Sequence, residues 1–161
     1  EVPEIEQFMV RVGRANILWV LGRLMVRLSK EDQVIIFSNT KRMVDLLVER
    51  LDRHRFSATG LHGDMAQNKR ERIITDFRDG KTRVIVATDV AARGLDVEGV
   101  TMVSNYDIPN DSESYVHRIG RTGRMGRKGE AWSFVSGEDA PNMTKIISTW
   151  NMVVSEVDAP A

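Results

Sequence analysis

Two short apolar runs, Val34-Ile-Ile-Phe37 and Val84-Ile-Val-Ala87, carry no polar residue at all. A strand with one wet face alternates polar and apolar residues, so runs like these belong to strands covered on both sides. Residues 100–106 read as the next strand. Between the runs, apolar residues recur at helical spacing: Met43, Leu47 and Leu51 with Val44 and Val48 beside them, then Ile73, Ile74 and Phe77. Parallel strands need a long crossover, usually a helix. The pattern therefore predicts an α/β domain with a mostly parallel central sheet and helices on both faces. The remaining segments agree. Residues 5–12 alternate like a strand, and Ile17, Leu18, Leu21, Met25 and Leu28 stripe a helix. Residues 56–61 read as a weak strand, 112–119 as a short helix and 131–135 as a strand. Met143, Ile146, Ile147 and Trp150 stripe a last helix, with Pro141 near its start. Ser38, Asn39 or Thr40 is a candidate cap for the second helix. Asp64 and Gln67 have capping-box spacing at the head of the third, which Gly80 ends.

With 161 residues and no linker-like or repeated stretch, the chain reads as one domain. Basic and acidic residues balance at 23 each, so a nucleic-acid partner must be argued from local clusters and not from net charge. Without cysteine there are no disulfides or thiolate metal sites. The apolar stretch 17–21 is too short for a membrane span, and Arg23 and Arg27 interrupt its continuation. The opening residues lack a signal peptide's basic start and apolar centre. A cytoplasmic or nuclear setting, with no membrane contact, is the expectation.

In open parallel sheets ligands bind beyond the carboxyl ends of the strands. Three polar clusters fall there: Ser38-Asn39-Thr40, residues 88–96, and the loop leading to Arg121. For any one cluster a bland reading competes, because strand ends are where solvent begins. In residues 87–96, Thr88 offers a hydroxyl and an N–H to phosphate. Ala91 and Ala92 leave room, Gly94 allows a bend, and Asp96 suits sugar hydroxyls. Equally, Thr88 and Asp89 are plain caps and Gly94 a turn residue. His62-Gly63-Asp64, with Gln67 and Arg70, marks a helix N-terminus able to receive an anion. There Arg70 sits unfavourably in the helix dipole unless a phosphate joins it.

The densest positive charge lies in residues 115–124, Tyr-Val-His-Arg-Ile-Gly-Arg-Thr-Gly-Arg. Arg118, Arg121 and Arg124 recur every third residue, with no acidic residue between His117 and Lys128. A guanidinium is permanently charged and its planar fork matches phosphate oxygens. Gly120 and Gly123 disfavour a continuous helix, so a loop or helix end that aims the side chains is expected. Like charge without local counter-ions favours a partner, and the segment is expected to be exposed. His117 reads either as a packed histidine at a helix end or as part of this cluster. No histidine pair has metal-ligand spacing, and no Ser-His-Asp arrangement is readable.

Taken together, these segments resemble the C-terminal RecA-like domain of DEAD-box ATP-dependent RNA helicases, over roughly residues 5–150. Residues 34–40 resemble the family's motif IV. His62-Gly63-Asp64 with Gln67 and Arg70 resembles the motif IVa region, and residues 87–96 resemble motif V. Asn105-Tyr106-Asp107 with Pro109 resembles the segment that follows, and residues 117–124 resemble motif VI. The resemblance implies that Arg121 and Arg124 are arginine fingers for the γ-phosphate of ATP. It places Asp96 and Gly94 at the nucleotide, Asp96 on its ribose. It implies that Asn39, Thr40, Gly63, Arg70 and Thr88 lie along RNA, holding its sugar-phosphate backbone with little sequence preference. His117 and Arg118 would couple this domain to its partner.

The chain contains no Gly-x-x-x-x-Gly-Lys-Ser/Thr phosphate loop and no Asp-Glu-Ala-Asp. In the family those motifs lie on an N-terminal RecA-like domain that grips ATP and Mg2+. The expectation is thus residues 1–161 as the second half of a two-domain enzyme. Such a half is monomeric, needs no cofactor of its own, and is inactive alone. Two other classes compete. A non-enzymatic RNA-binding or docking module would not need the finger arginines, and a DNA translocase is disfavoured by the DEAD-type form of motifs V and VI.

Overall fold

The computed structural model describes residues 4–124 and 126–160. Among the described residues seven strands form a single sheet: β1 (Ile5–Arg11), β2 (Val34–Phe37), β3 (Thr59–Leu61), β4 (Val84–Ala87), β5 (Met102–Asn105), β6 (Gly129–Val135) and β7 (Ser155–Glu156). Their order across the sheet is β3-β4-β2-β5-β6-β1-β7, and every pairing is parallel. The helices are α1 (Ile17–Val26), α2 (Lys41–Arg53), α3 (Gln67–Arg78), α4 (Ser112–Ile119) and α5 (Ala140–Trp150), and a 3-10 turn at Arg14–Asn16 precedes α1. The fold is the expected RecA-like α/β sheet, covered on both faces.

Alternation along each strand assigns the faces. Val34 and Ile36 of β2 join the core under α1 and α2 with Leu21, Leu24, Leu47 and Phe134. Ile35 and Phe37 point the other way, against Ile73 and Phe77 of α3. Further along that second face, Tyr115 and Ile119 of α4 meet Met143 and Ile146 of α5 over Met9 and Ala131.

Several element ends moved by one to three residues, and two departures have a clear physical reason. β3 is shorter than residues 56–61 because the chain is still leaving α2. Arg55 takes a left-handed φ of 67°, and the Phe56 N–H reaches back to Leu51 O at 2.8 Å. Asp64 does not cap α3. Ala66 is the N-cap, without a side-chain bond, and the Asp64 carboxylate accepts instead from Lys41 at 2.5 Å. β7 and the 3-10 turn were not expected at all. β7 is two exposed residues added to the sheet edge, too short to carry a period.

Register sets the functional edge. Leu61 stands level with Ala87, Ala87 with Phe37, Phe37 with Asn105, and Asn105 with Ser133. The segments beginning at His62, Thr88, Ser38 and Tyr106 therefore leave the sheet side by side. Among them, β2 lies where the chain turns from building toward β3 to building toward β6, the kind of position where α/β sheets open a crevice.

Candidate functional site

Arg118 organises this edge. It lies on α4, which Asp111 starts by accepting the Ser114 N–H at 2.7 Å. Helical spacing turns Tyr115, Arg118 and Ile119 inward together, and Arg118 is only 1% exposed. Its Nε and one terminal nitrogen donate to the two oxygens of Asp89 at 2.6 and 2.8 Å. Further donors reach Asn39 Oδ1 at 2.7 Å, Asn105 Oδ1 at 3.2 Å and the Asp107 carbonyl at 2.8 Å. The guanidinium also lies over the Phe37 ring, 5.2 Å from its centroid. Its partners thus come from the ends of β2, β4 and β5. Charge-assisted bonds of this kind are stronger than neutral ones, and satisfying the fork is what permits its burial.

A second layer holds those partners. Asp107 accepts the Ser38 hydroxyl at 2.6 Å and the Asn39 N–H at 2.9 Å. Asn39 donates to the Ile108 carbonyl at 3.1 Å, and Asn105 donates to the Ser133 hydroxyl at 3.0 Å. Tyr115 donates to Gln7 at 2.8 Å, and burial pushes its phenol up to about 12. Sequence reading singled out neither Asp107 nor Asp89 as an arginine partner. The segment 115–124 has counter-ions after all; they arrive from 29 residues away in the chain. Nor is the segment exposed throughout, since Tyr115, Arg118, Ile119 and Thr122 are buried.

Beyond α4 the picture changes. Gly120 ends the helix at an ordinary φ of −65°, whereas Gly123 is left-handed at 70°. A Cβ on Gly123 would sit 2.7 Å from Ile5 and 2.8 Å from the Glu4 carbonyl, so this position accepts only glycine. Thr122 anchors the turn through its hydroxyl, which donates to Val100 O at 2.6 Å. Arg121 and Arg124 project from this anchored loop and are partly exposed. Opposite them, Gly94 turns the chain with a φ of 76°. Two residues following it face the arginines: Leu95 O accepts from Arg121 at 3.1 Å, and Asp96 pairs with Arg124. Partial burial, then the charge of Arg124, lowers the pKa of Arg121 from its usual value. His117 is exposed on α4 and lines a pocket of about 90 Å³ with Arg118, Arg121, Asp89 and Arg93.

The remaining candidates spread along the other half of the edge. Thr40 caps α2, its hydroxyl accepting from the Met43 N–H at 3.2 Å. Gly63 is exposed beyond β3, and Thr88 follows β4 with its hydroxyl accepting from the Ala91 N–H at 3.4 Å. Arg70 reaches the Arg93 carbonyl at 3.1 Å, which ties α3 to the loop after β4 and eases its placement near a helix N-terminus. Since β3, β4 and β2 are neighbours, the loops carrying Gly63, Thr88 and Thr40 leave strands that together span two strand spacings, about 10 Å. Asn39 is drawn into the Arg118 network through its side chain.

Residues 17–126 match the helicase conserved C-terminal domain family. The chain belongs to this family. It is a C-terminal RecA-like domain of the DEAD-box type. The DEAD-box ATP-dependent RNA helicase CshA of Bacillus cereus is 46% identical over 159 residues, covering 99% of this chain and 30% of the relative. The eukaryotic initiation factor 4A-III homolog B of Oryza sativa subsp. japonica is 50% identical over 125 residues, 78% of this chain and 31% of the relative. The chain therefore spans under a third of the length of these curated relatives. Among solved structures, S. cerevisiae Dbp5 bound to RNA and ADP BeF3 superposes with a TM-score of 0.90 at 35% identity, covering 99% of this chain and 43% of that one. The E. coli DEAD-box protein SrmB, bound to regulator of ribonuclease activity A, gives a TM-score of 0.87 at 32% identity, covering 99% and 92%. In this DEAD-box domain the polar edge just described carries the segments that resemble motifs IV, IVa, V and VI.

Proposed function

We propose that this domain is the C-terminal lobe of an ATP-dependent RNA helicase, completing an ATP site whose main grip lies on an N-terminal RecA-like domain. The observation that carries the reading is the state of Arg121. It stands on a loop anchored by Thr122 at the sheet's carboxyl edge. Among the described residues it makes one hydrogen bond, leaving the rest of its fork for a phosphate. Arg124 stands on the same loop, held by the exposed carboxylate of Asp96. That carboxylate uses Oδ1 for Arg124, which leaves Oδ2 to accept sugar hydroxyls. This donor and acceptor set fits a nucleotide.

ATP, with Mg2+ held by the other domain, supplies the transferable phosphoryl group when bound. Arg121 and Arg124 then stabilise the charge that develops on it, an effect worth roughly 10³–10⁵ in rate in related phosphoryl transfer. Thr40, Gly63, Thr88 and Arg70 face the RNA sugar-phosphate backbone, with Asn39 ordering the loop between them. His117 faces the partner domain. Arg118 contributes to coupling indirectly, by holding the loops after β2, β4 and β5 in one frame. Closure of the two domains brings the fingers to the nucleotide and aligns both RNA surfaces. A single strand bent to fit that surface leaves its duplex locally opened.

ATP turnover tests this reading. The chain alone should show none, with or without RNA. Joined behind the N-terminal RecA-like domain of a DEAD-box relative, it should hydrolyse ATP in response to single-stranded RNA and much less in response to DNA of equal length. Robust turnover by the isolated chain, or equal stimulation by DNA, refutes it.

A further inference from the structure

The head of α2 grips the loop after β3 at two points, and neither grip belongs to the arginine network. Lys41, the first residue of α2, donates to Asp64 Oδ2 at 2.5 Å. One turn on, Asp45 Oδ1 lies 3.1 Å from His62 Nε2. Residues four apart share a helix face, so both side chains point at the same loop. His62 closes the loop on itself, with Nδ1 accepting the Asp64 N–H at 3.3 Å. With Nδ1 an acceptor, the imidazole proton sits on Nε2 and is donated to Asp45. The imidazole is 12% exposed, so it is held in place rather than free in solvent. Hydrogen bonding and charge from Lys41 lower the Asp64 pKa below the usual carboxylate range.

Close packing makes this clasp possible. A Cβ on Gly60 of β3 would meet Val44 at 3.1 Å and Val48 at 3.3 Å, so α2 lies nearly against the strand backbone. Inside the clasp sits Gly63. Its φ is not left-handed, and a Cβ there would meet nothing within 4 Å among the described residues. Among the described residues no packing contact requires a glycine at that position; a molecule arriving from outside would use the open space. Thr40, the cap of α2, precedes Lys41 directly.

We propose that Lys41 and Asp45 are positioning residues for RNA, holding the Gly63 loop in a fixed place relative to Thr40 so that two separate loops meet the sugar-phosphate backbone as one rigid surface. The inference rests on the reading that Thr40 and Gly63 face RNA. It gives α2 a function beyond covering the sheet, and it assigns Lys41 to Asp64 rather than to a phosphate.

The test uses this chain joined to a DEAD-box N-terminal RecA-like domain, a fluorescent single-stranded oligouridylate and a non-hydrolysable ATP analogue. Lys41→Met and Asp45→Ala should each weaken RNA binding about fivefold, the size of one lost surface contact. Lys41→Arg should bind like the parent. At saturating RNA, ATP turnover should stay at the parent level while the RNA concentration needed for half-stimulation rises. Asp64→Asn should match Lys41→Met, and the double variant should be no worse than either. Tighter RNA binding by Asp64→Asn, or a salt slope reduced by about 0.7 in Lys41→Met, would assign Lys41 to the RNA itself and overturn the proposal. Parent-like binding by both Lys41→Met and Asp45→Ala overturns it as well. Gly63→Leu separates the two readings. If it abolishes RNA binding while the Lys41 and Asp45 variants bind normally, the RNA path stands and the clasp fails. If Gly63→Leu binds like the parent, RNA runs elsewhere and both fail. Thermal melting of each variant should show folding intact.

Discussion

Arg118 and Arg121 are neighbours on one basic segment and are opposites in the structure. Arg118 is buried and donates to partners from the ends of three strands. Arg121 is partly exposed and, among the described residues, makes one hydrogen bond, to a backbone carbonyl. The same residue type, placed one turn apart at the end of a helix, serves as an internal strut in one case and as an open donor in the other. Repetition of arginine in a motif is therefore no guide to shared duty. The count of donors already engaged is the better guide.

The contrast breaks most sharply on Arg121. In the joined two-domain protein, Arg121→Lys should lower ATP turnover by about 10³ or more while thermal stability stays unchanged, because lysine keeps the charge and loses the fork. A fully active lysine variant would erase the distinction between the two arginines. Arg118→Met should do the reverse in the isolated domain. Removing the fork leaves Asp89, Asn105 and Asn39 short of donors at a buried edge, and unfolding by urea should register a loss of about 2–4 kcal/mol. That is toward the lower end for a broken buried pair, because the Asp89 side chain is 40% exposed.

Asp111 sharpens the comparison by asking how firmly α4 must be held for Arg118 to reach its partners. Asp111→Ala should cost about 1 kcal/mol at neutral pH, measured by the same unfolding. Hydrogen bonding to Ser114 lowers the Asp111 pKa from its usual 3.8. Its contribution is thus complete above the unfolded value and is lost as pH falls through the lower folded one. The gap between parent and variant should accordingly narrow as pH falls from 3.8 through the lower folded value, and a gap that persists at the acid end would mean the side chain acts by something other than its charge. The smallest effect is expected at Asp96. Asp96→Asn breaks an exposed pair with Arg124 and should change stability by under about 0.5 kcal/mol, while raising the nucleotide concentration needed for turnover.

Much of the fold was legible because it depends on short-range pattern. The all-apolar runs 34–37 and 84–87 became β2 and β4 with the same boundaries, and 112–119 became α4. The carboxyl-edge placement of the candidate residues followed from strand direction alone. Less legible were the ends of elements. Asp64 had the spacing of a cap, yet Lys41 from another helix took its carboxylate, and no local window contains that competition. The expectation of an exposed arginine segment failed for the same reason. The groups that accept from Arg118 are scattered from Asn39 to Asp107, with the neutralising carboxylate on Asp89.

What the sequence determined by itself was the parallel sheet, the helices on both its faces and the set of basic and glycine-rich segments at one edge, since periodicity and turn chemistry act over a few residues. Tertiary structure alone decided which arginine is a strut and which remains open. That choice depends on how many acceptors the folded chain brings within 3 Å of a guanidinium, and for Arg118 one of them comes from 79 residues away.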